Sequence, residues 1–169
     1  MAKKPPKFDP LGVLQALDRH RVSYIAIGGF ARVIQGTEEI TRGIDIVPST
    51  RPENLQRLDS ALREINAERA DGKDLALEKA VGAEPLIELL TDHGEVKVVP
   101  TPAGTRGYDD LRRAANREPL GRGVRPSVAS IGDLARMLSA LQDEERLPQL
   151  MQLRRLTELE RSRARGIER

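Results

Sequence analysis

The chain contains no cysteine. That excludes disulfides and thiolate metal sites and suits a reducing compartment, so the expected location is cytoplasmic. Aromatic residues make up only 2% of the chain: Phe8, Tyr24, Phe30 and Tyr108. The core must therefore be built from Leu, Ile, Val and Ala. No apolar run approaches the ~18 residues that a membrane span requires, and no membrane association is expected. The start, Met1 to Lys7, is basic but lacks an apolar segment, so it does not read as a signal peptide. Net charge is also small, +2 at neutral pH.

What is present is a chain of 169 residues, enough for one domain with a real core. Its positive charge is unevenly spread. Arg106, Arg112, Arg113, Arg117, Arg122 and Arg125 crowd one segment; Arg154, Arg155, Arg161, Arg163, Arg165 and Arg169 crowd the end. Basic clusters attract nucleic acid. Against this, Glu158, Glu160 and Glu168 interleave the terminal cluster, and interleaved charges largely cancel beyond a Debye length.

Residues 1–8 read as a disordered arm. Asp9 caps a helix with Pro10 at its first position, and Leu11, Val13, Leu14 and Leu17 give it an apolar stripe. His20 belongs to its last turn. Val22 to Ile27 is a buried strand. Gly28-Gly29 then lets the backbone turn and approach a ligand closely. Phe30 to Gln35 is a short helix closed by Gly36, its first amides suited to an anion. Gly43 to Val47 is a strand closed by Pro48, and Pro52 opens a helix with Leu55, Leu58, Leu62 and Ile65 at helical spacing. After a turn at 70–73, residues 74–80 are an ambiguous, helical piece. Leu86–Leu90 and Val96–Val99 form a hairpin around Thr91-Asp92-His93-Gly94, with His93 an exposed turn residue. Tyr108–Ala115 reads as a helix with Asp109 and Asp110 at its start, and Val124–Val128 as a short strand. Ser130 caps a helix carrying Ile131, Leu134, Met137, Leu138 and Leu141. Leu147, Leu150, Leu153 and Leu156 mark a last helix that frays into an arginine-rich tail. This order gives a mixed α/β domain, α+β in layout, with helices appended at the C-terminus.

Gly28-Gly29, thirteen intervening residues and Gly43-Ile44-Asp45-Ile46 resemble the signature of the DNA polymerase β-like nucleotidyltransferase superfamily. That signature is an apolar residue, Gly-Gly or Gly-Ser, a spacer of this length, then acid-apolar-acid-apolar. Thr91 to Pro100 is similar to the hairpin that carries the family's third acid. Pro102–Leu111 and Ser127–Leu134 look like downstream segments of small bacterial members. The resemblance spans residues 11–160. It implies a mixed sheet flanked by helices in a core over 9–128, C-terminal helices over 129–162 packed on that core, and a basic tail over 163–169.

In such enzymes three acids hold two divalent metals that bridge the nucleotide phosphates and help activate an acceptor hydroxyl. Acids two apart on a strand share a face, so the pattern needs them at positions 43 and 45. Here position 43 is Gly43 and only Asp45 remains. The third acid falls at Lys97, a charge reversal. Leu138 and Arg146 stand where small relatives tend to carry a lysine and an acid. The resemblance therefore implies a nucleotidyltransferase fold with degenerate catalytic acids, retaining a nucleotide at Gly28, Gly29, Arg42, Asp45 and Lys97, with Lys97 answering Asp45. One alternative is an active enzyme, toxin–antitoxin-like, that modifies RNA, protein or a small molecule; Asp45 would then be catalytic, and Asp45 with Glu95 would hold Mg²⁺. A second is a non-catalytic module contacting a protein or RNA partner.

Overall fold

The computed structural model describes residues 7–167. In chain order the elements are α1 (Pro10–Arg19), β1 (Tyr24–Ile27), α2 (Gly28–Gln35), β2 (Gly43–Pro48), α3 (Pro52–Glu64), β3 (Glu68–Arg69), α4 (Leu77–Ala83), β4 (Ile87–Thr91), β5 (Gly94–Val98), α5 (Tyr108–Leu111), β6 (Asn116–Arg117), β7 (Ser127–Val128), α6 (Ile131–Leu141) and α7 (Leu147–Ile167), with a single 3₁₀ turn at Glu144–Arg146 before α7. The strands form one mixed sheet in the order β3-β4-β5-β2-β1-β7-β6. β2 runs antiparallel to β1 and parallel to β5, and β7 runs parallel to β1. This is the α/β architecture, a mixed sheet flanked by helices, that the sequence implies.

Local chemistry sets the helix boundaries. The Asp9 carboxylate accepts from the Gly12 amide at 3.2 Å with Pro10 at the first helical turn, and the Ser130 hydroxyl accepts from the Asp133 amide at 3.0 Å. Both caps satisfy amides that no helical carbonyl can reach. Gly36, at φ +121°, ends α2 in a conformation that costs other residues strain.

The two faces of the sheet differ in what they meet. Ile44, Ile46, Ile87, Leu89, Val96 and Val98 are buried in one core with Val13, Leu14 and Leu17 of α1 and Leu55, Leu58 and Leu62 of α3. By the two-residue alternation of a strand, Asp45, Glu88, Glu95 and Lys97 project from the other face. α2 lies against β1 and β2 and touches α6, which in turn packs on α7. These helices cover part of that second face and leave the rest as a cleft wall.

Several boundaries differ from the sequence expectation. Helical bonding in α2 begins at Gly28, so the double glycine is the first turn of the helix rather than a loop before it. α5 is one turn, because residues 112–115 leave it to feed edge strand β6. The strand expected over 124–128 is only Ser127–Val128, since Pro126 offers no amide to a ladder. Phe8, expected in the arm, packs edge-to-face on Phe30 with ring centroids 5.9 Å apart, and the neighbouring Asp9 amide donates to the His93 carbonyl at 2.8 Å. Residues 1–6 lie outside the described part. α7 continues as helix through Ile167, past the expected onset of the tail at 163; its Leu, Glu, Arg and Ala content favours helix. No helix among the described residues is long and apolar enough to cross a membrane.

Candidate functional site

The cleft lies where β1 gives way to α2. It has a volume of about 450 Å³ and is lined by Gly28, Gly29, Arg32, Glu39, Arg42, Asp45, Glu95, Lys97 and Arg146, with Leu86, Leu134, Met137, Leu138 and Leu141 on its apolar side. Every residue proposed from sequence for nucleotide or metal contact thus reaches one cavity. Leu138 and Arg146 line it too, although they come from C-terminal segments more than ninety residues beyond Asp45.

Strand register explains the grouping. Asp45 on β2 stands directly beside Lys97 on β5, and Lys97 in turn faces Glu88 on β4. One ammonium is therefore flanked in register by a carboxylate on either side. The expected close pairing of Lys97 with Asp45 is adjacency in register and not an ion pair: among the described residues neither Lys97 nor Arg42 forms a salt bridge, so two cations line the cleft without a fixed counter-charge.

A side chain is disfavoured at three lining positions, most strongly at Gly28 and Gly43. At Gly28, φ is +72° and the Asp45 carboxylate lies against its Cα, where any side chain would collide with it. At Gly29, a Cβ would come within 3.0 Å of Glu39 Oε1. At Gly43, a Cβ would run into the backbone carbonyl of Glu95 on the neighbouring strand. The position where the family pattern asks for an acid is thus closed to any side chain unless β2 and β5 move apart.

The Asp45 carboxylate makes no hydrogen bond or salt bridge among the described residues, and burial raises its pKa above the ordinary value. Lys97 and Arg32 pull it back down, while the charge of Glu95 pushes further up. Magnesium demands near-octahedral oxygen ligation, usually with several carboxylates or substrate phosphates. Here Gly43 brings no carboxylate and Lys97 places an ammonium beside the one that remains. Among the described residues no group of three or more His, Asp or Glu side chains gathers to hold a metal. The residues do not fit the family's two-metal centre.

Glu39 and Arg32, both lining the cleft, were not picked out from the sequence. Glu39, in the α2–β2 connection, is 3% exposed at its side chain. It accepts from Arg32 Nη2 at 2.8 Å, Arg32 Nε at 3.0 Å and the Thr37 hydroxyl at 2.9 Å, and Arg146 Nη1 lies 3.8 Å away. Burial would raise this carboxyl, but the hydrogen bonds from Arg32 and Thr37 and the charges of Arg32 and Arg146 outweigh it and hold it below the ordinary value. A glutamate in a polar loop looks solvated in sequence, and the only hint was an arginine seven residues earlier. Arg146 thus stands in the cleft as the partner of a carboxylate.

The remaining sequence candidates have structural roles. His93 is half-buried, its Nδ1 3.6 Å from Asp9, against the start of α1 rather than exposed at the hairpin tip. His20 Nε2 lies 3.6 Å from Glu64. Asp110 accepts from the Arg106 amide at 2.9 Å and from Arg136 at 3.2 Å, tying α5 to α6.

No protein-family model and no curated protein matches the sequence. Solved structures do match in shape. The lincosamide antibiotic adenylyltransferase LnuA, lincomycin-bound, aligns with a TM-score of 0.60 at 15% identity, over 89% of this chain and 99% of that one. The antibiotic-resistance factor ANT(2'')-Ia aligns in its solution structure with a TM-score of 0.55 at 11% identity, over 94% and 92%. In its complex with adenylyl-2''-tobramycin it aligns at 0.53 and 14%, over 91% and 95%. At such identities the likeness is one of architecture, and it extends over nearly the whole of each chain: the protein has the nucleotidyltransferase fold.

Proposed function

We propose that the cleft binds a nucleotide through its own cations and has given up the two-metal chemistry of the fold. The observation that carries this reading is Lys97, which stands in register beside Asp45 where a metal-binding acid is expected. Lys97 and Arg42 supply positive charge without fixed partners, and the start of α2 adds amides and the positive end of a helix dipole. Such a site holds phosphate directly. Asp45, buried against Gly28, disfavours a close approach of phosphate at that one point and orients the ligand toward Lys97.

Thermal-shift measurements with each nucleoside triphosphate, with and without Mg²⁺, test this. The expected result is stabilisation by nucleotide that does not need the metal. Lys97→Ala should weaken it on the order of 10–100-fold, the cost of a lost hydrogen bond to a charged group. No shift with any nucleotide would overturn the reading in favour of an interaction module.

The active-enzyme reading has one observation in its favour: Glu95 is near enough to Asp45 to raise its carboxyl. Two carboxylates sharing a cleft could take one metal together with substrate phosphates. Lincomycin and tobramycin, named with the structural neighbours, are the first acceptors to try. Mg²⁺-dependent transfer of label from α-labelled ATP to either would establish this second reading over the first.

A further inference from the structure

We propose that the β6–β7 hairpin is a binding site for the phosphate backbone of duplex nucleic acid, separate from the cleft. The two arginine-rich segments of the sequence are differently built. On α7 the arginines alternate with Glu158 and Glu160 along one exposed helix. From Arg112 to Val128 the sequence holds one carboxylate, Glu118, and five exposed arginines, Arg112, Arg113, Arg117, Arg122 and Arg125, with Asp109 and Asp110 of α5 just before them. Arg112 has Asp109 3.4 Å away; the other four form no salt bridge among the described residues. Arg113 still acts on Asp110 and Arg117 on Asp18, whereas Arg122 and Arg125 at the hairpin tip form no salt bridge among the described residues.

The hairpin holds these side chains on a fixed frame. Asn116–Arg117 pairs with Ser127–Val128, and the ladder extends through Glu118 N to Pro126 O at 3.0 Å and Leu120 N to Val124 O at 2.9 Å. Val124 and Pro126 are buried, so Arg125 between them is held outward. The tip Gly121-Arg122-Gly123 has φ of +97°, +51° and +75°, and a Cβ on either glycine would meet nothing within 4 Å. An arginine thus stands at the apex of an open turn. β6 is an edge strand at the far side of the sheet from β3, and none of these arginines lines the cleft.

Arginine forks suit phosphate oxygens, and a rigid row of them loses little freedom on binding. The hairpin has no aromatic residue on which an unpaired base could stack, since the chain's four are Phe8, Tyr24, Phe30 and Tyr108. Single strands are bound largely through such stacking. Contact with backbone phosphates carries no sequence information, and a duplex offers the denser array of them to a row of arginines.

Fluorescence anisotropy with short labelled RNA and DNA duplexes tests the proposal across salt concentrations. Binding should weaken roughly 100-fold between about 50 and 200 mM salt, as expected for about four phosphate contacts. The variant Arg113→Gln/Arg122→Gln/Arg125→Gln should flatten the salt slope by roughly 2 to 3 while leaving the melting temperature and any nucleotide shift unchanged. Arg117 is kept because its charge also offsets the burial of Asp18. The control Arg161→Gln/Arg163→Gln/Arg165→Gln on α7 should bind as the parent does. The proposal is overturned by absence of salt-dependent binding or by undiminished binding of the hairpin variant. It is equally overturned if polyglutamate at matched charge displaces the duplex as well as unlabelled duplex does, which would point to an acidic protein surface.

Discussion

At Gly43 the backbone itself leaves no room for a side chain. Strands β2 and β5 approach there so closely that any Cβ meets the carbonyl of Glu95. Gly43→Asp should therefore spread the sheet rather than add a metal ligand beside Asp45. Gly43→Ala, which adds only a methyl, should already cost about 1–3 kcal/mol, the usual range for forcing atoms into a packed place. Urea denaturation checks this. Asp45 next to it carries a different cost. Because burial raises its carboxyl above 3.8, in the window between that value and the raised one the folded chain holds a proton that the unfolded chain has released. Its contribution is thus fully present below about pH 3.8 and is lost as pH rises through the raised value. Asp45→Asn should accordingly melt higher than the parent at pH 7, on the order of a few degrees for a domain of this size, with the gain shrinking as pH falls toward 3.8. Melting curves at several pH values decide it; a gain independent of pH would show that Asp45 is not ionised against burial.

The connection between α2 and β2 works as an element although it has no regular structure. Glu39 plugs it onto Arg32 and Arg146, and the Glu38 amide donates to Gln152 Oε1 of α7 at 3.2 Å. With this anchoring, Ile40 is left 91% exposed at the cleft mouth. Glu39→Ala strands the Arg32 guanidinium, 11% exposed, without a counter-charge and should cost about 3–5 kcal/mol. Arg32→Ala/Glu39→Ala should cost clearly less than the sum of the single changes, which a double-mutant cycle in urea measures. The pH dependence is opposite to that of Asp45: Glu39 sits below 4.5, so its stabilisation holds above that value and fades as pH falls through the lowered one. This element was illegible in sequence because burial of a glutamate depends on an arginine brought round by the helix, not on any local pattern. β3 and β6 escaped for a related reason, since two residues are too few to show alternation. β1, β2 and the β4–β5 hairpin were legible because each carries several apolar residues between clear turn signals.

Across the whole molecule the mixed α/β class was legible from the order of elements, and the spacing of Gly28-Gly29 to Asp45 with the Thr91–Gly94 turn pointed to which side chains share a face. The strand order of the sheet was not legible, because long-range pairing leaves no local pattern. The depth to which the C-terminal helices join the core could not be read from spacing, because α7 has leucines on more than one side. The structure divides it. Leu150 is 9% exposed and Leu153 fully buried, Leu156 rests over Gly36, and Gln152 holds the Glu38 amide, whereas residues 158–166 are all exposed. The helix should therefore be separable into a half that belongs to the fold and a half that does not. A chain ending after Thr157 removes, among the described residues with a stated exposure, only the exposed 158–166, and should keep its stability within about 0.5 kcal/mol. A chain ending after Arg146 opens the space filled by Leu150 and Leu153, each worth about 2–5 kcal/mol by the usual cost of emptying a leucine site. That total is comparable to the net stability of a domain, so this shorter chain should lose its cooperative melting transition, and with it the cleft that α6 and the α2–β2 connection enclose. Melting curves of the two truncations make the comparison: a cooperative transition in the shorter one would mean that residues 7–146 fold alone and that α7 is an attachment to the fold instead of one of its walls.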